Sequence, residues 1–157
     1  MIKTVIASDG TGLNLKEAVK KHLIDLGMEV EDAGQQVGGP PVTHIAAARN
    51  LVAAMRKDKL AKGVIICGTG AGASICVNKF KGMYCVACES VYTAPKIALI
   101  NNANVLAMGG RILGPENACE MAEKFLRQEF AEGFAPQRRE TVEKMYGDMQ
   151  QLEAENF

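Results

Sequence analysis

The sequence has no tryptophan, only two histidines, no net charge and no long apolar run; 18 basic residues balance 18 acidic ones. No basic cluster stands out, so the electrostatic footprint of a nucleic-acid partner is missing. No stretch approaches the ~18 consecutive apolar residues of a membrane-spanning helix, and no membrane partner is expected. The opening Met1-Ile2-Lys3-Thr4-Val5-Ile6-Ala7-Ser8-Asp9 lacks a secretory layout, its apolar part being short and broken by charge. A cytoplasmic location is the expectation. No internal repeat, linker or low-complexity segment divides the 157 residues, so one domain is expected over 1–157. With 48% hydrophobic residues the chain can fill a packed core.

Five cysteines, Cys67, Cys76, Cys85, Cys88 and Cys119, sit mostly inside apolar runs, as reduced buried thiols do. Cys85 and Cys88 have a C-x-x-C spacing, but Tyr84-Cys85-Val86-Ala87-Cys88 reads as a strand. Alternation then sends the two thiols to opposite faces, against a zinc or redox pair. Neither a metal nor a cofactor is expected. Met55, Met121 and Met145 read as core filler.

What is present alternates strand with helix. Ile2–Ala7 favours a strand and runs into Ser8-Asp9-Gly10-Thr11-Gly12; helical spacing follows from Leu13 to Leu26, closed by Gly27. Met28–Ala33 reads as a second strand, 35–41 as a Gly/Pro-rich loop, and Thr43 as the cap of a helix to about Lys57. Val64-Ile65-Ile66-Cys67 is the continuous apolar run of a central parallel strand. Gly68-Thr69-Gly70-Ala71-Gly72 turns it into a helix reaching about Asn78. Strand Met83–Cys88, helix Val91–Asn101, strand Asn104–Met108, helix Pro115–Phe130 and a polar helix over about 138–154 complete the chain. Five β-then-α units predict a three-layer αβα sandwich around a five-stranded parallel, Rossmann-like sheet, with an extra C-terminal helix. Ligands of such sheets bind at the carboxyl ends of strands, here the turns Ser8–Gly12, Cys67–Gly72 and the segment after Met108.

The strongest local signal is Cys67-Gly68-Thr69-Gly70-Ala71-Gly72. The strand delivers Cys67 to the sheet edge, and the amides and helix start that follow favour an anion or a thiolate. A thiolate beside anion-holding amides is a base suited to taking a proton next to a carbonyl. A buried strand-end cysteine before a tight packing turn is the competing reading. A dinucleotide site fits poorly, because the glycine spacing is not G-x-G-x-x-G and the loop follows the third strand.

Cys67-Gly68-Thr69-Gly70-x-Gly72 with Asn78-Lys79-Phe80-Lys81-Gly82, then Asn101-Asn102-Ala103-Asn104-Val105 through Gly109-Gly110-Arg111, then Asp9-x-x-Gly12-x-x-Leu15-Lys16, resemble a family's signatures at the right mutual distances. The family is that of ribose-5-phosphate isomerase B and galactose-6-phosphate isomerase, and the resemblance covers about residues 1–145. It implies an aldose–ketose isomerase acting on a small sugar phosphate through a cis-enediolate, without metal or cofactor. Cys67 would be the base. The amides of Gly68, Gly70, Ala71 and Gly72 and the Thr69 hydroxyl would hold the oxygen that becomes negative. Asp9 and Asn101 would bind the sugar, and Arg111 and Arg138 the phosphate. A homodimer or homotetramer with active sites at the interface is implied too. Read without the family, Asp9 is a helix cap, Asn101 a C-cap and Arg138 a solvated charge.

The sequence also departs from the pattern. Gly10 stands where the family has a histidine, Phe134 where it has an arginine, and Pro41-Val42-Thr43 replaces Asp-Tyr-Pro. Ile100 occupies the position of the ring-opening histidine and carries no titratable group. Three readings follow: a substrate such as a tetrulose phosphate that needs no ring opening, a hetero-oligomer whose homologous partner supplies the acid, or a protein that binds a sugar phosphate without catalysis. His44 is the one remaining acid near the site, and nothing in the sequence positions it, so an exposed helix-start histidine is the expectation. His22 is assigned no role. Val142, Met145, Met149 and Leu152 give the last helix a narrow apolar stripe, for its own domain or a neighbouring subunit.

Overall fold

Uninterrupted apolar sequence can be satisfied only where both faces of a strand are covered. The computed structural model, which describes residues 3–59 and 61–157, puts the two richest such runs in the middle of one parallel sheet. In chain order the elements are β1 (Thr4–Ser8), α1 (Leu13–Asp25), β2 (Val30–Asp32), α2 (His44–Met55), β3 (Lys62–Cys67) and α3 (Ala71–Val77). There follow β4 (Cys85–Ala87), α4 (Thr93–Asn101), β5 (Val105–Gly109), α5 (Pro115–Arg127) and α6 (Pro136–Asn156). The strand order is β2-β1-β3-β5-β4, all neighbours parallel, with Cys67 opposite Gly109 in the register.

That order fixes the layers. The chain steps one way from β1 to β2 and from β4 to β5, and the other way from β2 to β3 and from β3 to β4. Right-handed crossovers therefore place α1 and α4 on one face and α2 and α3 on the other. The cores agree: α1, α4 and α5 pack on Ile6, Val64, Ile66, Leu106 and Met108, whereas α2 and α3 pack on Val5, Ala7, Ile65, Val105 and Ala107. The expected three-layer α/β architecture is what forms. Cys85 joins one core and Cys88 the other, as alternation requires of the C-x-x-C pair.

Boundaries shift where an edge strand has only one neighbour. β4 is Cys85–Ala87 rather than 83–88, because the Tyr84 N–H donates to the Asn104 side chain at 2.8 Å in place of a ladder bond. β2 shortens to three residues for the same reason. Ile2 of the expected first strand lies outside the described residues. Thr43 caps α2, its hydroxyl accepting from the Ala46 N–H at 3.1 Å. α6 is longer than expected and mostly exposed; Val142 is its buried residue, and Met145 is 60% exposed, so the reading of Met145 as core filler is corrected. Tyr146 packs on Tyr84 and Phe130, and the Glu153 carboxylate accepts from Gly82 N–H at 2.7 Å and Tyr84 OH at 3.0 Å.

Among the described residues one charged side chain is fully buried. Lys16 on α1 is fully buried, its Nζ 2.6 Å from Asp32 Oδ2, 2.5 Å from the Gln35 carbonyl and 3.0 Å from Glu17 Oε1. It ties the end of β2 and the loop beyond it to the helix that follows β1. Burial works against the Asp32 carboxylate, but bonds from Lys16 and Lys20 outweigh it and hold its pKa below the usual value. Removing one partner of a buried pair strands the other, so Asp32→Ala is expected to cost roughly 3 kcal/mol, read from the urea midpoint. Lys16→Met should cost less, since Asp32 keeps Lys20 at 2.7 Å. A depressed folded-state pKa means stability present above the unfolded value near 3.8 and lost as pH falls through the lower folded one. The difference between parent and Asp32→Ala is therefore expected to shrink below about pH 4; an unchanged difference there would remove the pair as its cause.

Candidate active site

The three turns expected from the sequence meet at the carboxyl edge of the sheet, backbone against backbone. The Asp9 N–H donates to the Ile66 carbonyl at 3.3 Å, Gly110 N–H to the Cys67 carbonyl at 2.7 Å, and Arg111 N–H to the Gly68 carbonyl at 3.0 Å. A Cβ on Gly12 would lie 2.5 Å from the Ile66 carbonyl oxygen, closer than any side chain can come. Gly70 has φ +82°, a left-handed conformation that turns the chain from β3 into α3.

That turn wraps the sulfur. The Gly70 N–H donates to Cys67 Sγ at 3.2 Å, and Cys67 is 6% exposed. Thr69 is exposed, its hydroxyl accepting weakly from the Ala71 N–H at 3.4 Å. Cys85 differs: burial pushes its thiol up to about 12, with Ser74 opposing, so it stays protonated near neutral pH. Burial raises Cys119 as well.

Asp9 is both turn-former and available acceptor. Its Oδ1 accepts from Thr11 Oγ1 at 2.7 Å and Gly12 N–H at 3.0 Å, closing the turn; the N-cap of α1 is Gly12, with no side-chain cap, which corrects the reading of Asp9 as a helix cap. Arg111 crosses Gly68, its Cδ 3.9 Å from where a Cβ would stand, beside Thr11. At the missing first histidine, Gly10 faces Gln35, whose Oε1 would be 3.2 Å from a Cβ there and which also accepts from Val42 N–H at 2.9 Å. His44 is half-buried rather than exposed, correcting that expectation: its Cδ2 and Nε2 lie 3.2 Å from a Cβ built on Gly72. Neither Gln35 nor His44 belongs to a glycine-rich signature. Their signal was position, since the 35–43 segment leaves the carboxyl edge of β2 and enters α2 at that same edge.

One chain thus brings together Asp9, Cys67, Gly68, Thr69, Gly70, Ala71, Gly72 and Arg111, and leaves two expected residues elsewhere. Asn101 is the last residue of α4, which returns from the carboxyl edge to the amino edge over about 13 Å. It is exposed, and Asn102, not Asn101, is the left-handed C-cap. Arg138 lies over the Phe134 ring, 5.2 Å from its centroid, and lines a cavity of about 340 Å³ with Lys96 and Ile100. No group of three or more metal-ligating side chains occurs among the described residues, and no described helix is long and apolar enough to cross a membrane.

Comparison with known proteins agrees with this geometry. The model of the Ribose/Galactose Isomerase family matches residues 4–145. A 4-deoxy-4-sulfo-D-erythrose isomerase of Clostridium sp. (strain MSTE9) is 40% identical over 139 residues, covering 88% of this chain and 87% of that one. D-erythrulose-4-phosphate isomerase 2 of Mycolicibacterium smegmatis is 40% identical over 136 residues, covering 82% and 86%. The crystal structure of a ribose 5-phosphate isomerase from Thermotoga maritima superposes with a TM-score of 0.78 at 33% identity, covering 91% of this chain and 98% of that one. The glycine-bound loops around Cys67 are thus those of an isomerase, and the chain belongs to the Ribose/Galactose Isomerase family.

Proposed function

We propose that the protein interconverts a four-carbon aldose and its ketose carrying an anionic group at C4, a tetrose phosphate being the favoured substrate, with Cys67 as the base. The observation that carries the reading is the Cys67 sulfur held 3.2 Å from the Gly70 amide where the central strand becomes a helix. A thiolate there would take the proton from C2 of the aldose and return it to C1. The electron pair moves onto O1, giving a cis-enediolate whose charge the amides of Gly68 to Gly72 and the Thr69 hydroxyl would hold.

Substrate size follows from Ile100. A sugar whose C4 oxygen carries phosphate has no hydroxyl there to close a stable furanose ring. A C4 sulfonate removes the same hydroxyl. Such substrates are open-chain carbonyls, and an isoleucine at the ring-opening position costs them nothing. The names of the two 40%-identical relatives both describe four-carbon sugars with an anion at C4.

The second copy of the chain is part of this reading. Within one chain α4 carries Asn101 away from the sheet edge that holds Cys67, and Arg138 lies along α4 beside Lys96 and Ile100. Met145 and Leu152 of α6, each 60% exposed, are suited to cover by a neighbour. A homodimer placing the Asn101–Arg138 region of one copy over the Cys67 loop of the other would complete the site, with Arg138 on the phosphate.

Two experiments test these points. Incubated in heavy water with tetrose, pentose and hexose phosphates, the purified protein is expected to convert the tetrose and to introduce deuterium at its C2. Cys67→Ala should lower turnover roughly 100- to 10,000-fold with the fold intact. Full activity in Cys67→Ala would overturn the mechanism, absence of any exchange would favour a binding protein, and inactivity rescued only by a homologous chain would favour a hetero-oligomer. Separately, Cys67→Ala and Arg138→Ala chains are each expected to be weak alone. Refolded together they should regain about a quarter of parent activity, because about half the dimers are mixed and each mixed dimer has one intact site. No recovery would place Arg138 in the same chain's site or outside it.

A further inference from the structure

Aldose–ketose interconversion moves two protons: one from C2 to C1, and one from the O2 hydroxyl to O1. Cys67, in the reading above, accounts only for the first. Peptide amides can steady an oxyanion but do not give up protons near neutral pH, and the Thr69 hydroxyl is far too weak an acid. Ile100 has nothing to transfer. Asp9 is held in its turn through Oδ1, and its remaining oxygen is the acceptor for a sugar hydroxyl in that same reading. His22 is held on the α1–α5 surface by Glu123 at 3.1 Å.

His44 remains, and the fold gives it a place. It opens α2 at the carboxyl edge of the sheet, the edge to which β3 delivers Cys67. Its Cδ2 and Nε2 lie 3.2 Å from the position of a Cβ on Gly72, so the ring rests on the first turn of α3 in the space a side chain would fill. Gly70, two residues earlier, is the amide that meets the Cys67 sulfur. Imidazole and thiol therefore flank one short turn. No hydrogen bond or ion pair engages the ring among the described residues, which leaves both nitrogens for a ligand. Imidazole is also the side chain whose ordinary pKa suits proton exchange between oxygens near pH 7.

We propose that His44 carries the hydroxyl proton between O1 and O2 of the enediolate. The step rests on Cys67 as the carbon base. After Cys67 has taken the C2 proton and O1 has become negative, a ring nitrogen of His44 gives its proton to O1 and receives the O2 proton in its place. The charge now on O2 collapses to the C2 carbonyl, and the thiol returns its proton to C1. One hydrogen has moved between carbons and one between oxygens, and both groups are restored.

The test separates the two transfers. Return of deuterium from the thiol to C2 regenerates labelled aldose without any O1–O2 exchange, so it needs Cys67 and not His44. With D-erythrose 4-phosphate in heavy water, His44→Gln is expected to lose conversion roughly 100-fold while wash-in to recovered aldose persists, raising the exchange-to-conversion ratio more than tenfold. Gly72→Ala, which displaces the ring without deleting it, should shift the ratio in the same direction; that variant decides the matter if His44→Gln misfolds by circular dichroism. Equal falls in both rates, or no change in either, would overturn the role. Wash-in that survives Cys67→Ala would instead sink the cysteine reading.

Discussion

Everything at the site depends on main chains lying closer together than side chains allow. The turns after β1, β3 and β5 touch through backbone at Gly12, Gly110 and the Cys67–Gly68 carbonyls, with bonds of 2.7 and 3.0 Å tying the β5 turn to the β3 turn. This contact fixes where Asp9, Cys67 and Arg111 stand, and sets the Gly70 amide of the turn into α3 against the sulfur. Lys16 extends the same constraint below the surface, anchoring the β2 loop from within. The walls nearest the sulfur are peptide planes rather than rotamers, a geometry suited to holding charge that develops during reaction.

Much of this was legible in the sequence, for identifiable reasons. Apolar runs such as Val64–Cys67 can be satisfied only inside a covered parallel sheet, and the alternation of such runs with helical periods left one architecture. Glycines at 68, 70 and 72 marked the turn. What escaped was whatever depended on tertiary contact. His44 looked unpositioned because nothing near it in sequence holds it; its wall is Gly72, from another element. Met145 looked like core filler because helical spacing cannot say whether the facing element exists in the same chain. The separation of Asn101 and Arg138 from Cys67 needed the direction of α4, which follows from the parallel sheet but not from any motif.

The departures from the family pattern form a consistent set under this account. Losing the ring-opening group at Ile100 is harmless for an open-chain substrate, and Gln35 occupies the neighbourhood where Gly10 lacks a side chain. Phe134 stacks against Arg138 instead of adding a second cation, leaving a smaller positive region.

The most direct test of the central claim is a crystal structure with a hydroxamate analogue of the tetrose phosphate enediolate. The account predicts its planar oxygens against the amides of Gly68 to Gly72, its carbon skeleton facing Cys67 Sγ, and its phosphate beside Arg111 and a second copy's Arg138. An analogue bound away from that turn, with the Cys67 sulfur still enclosed by protein, would contradict it.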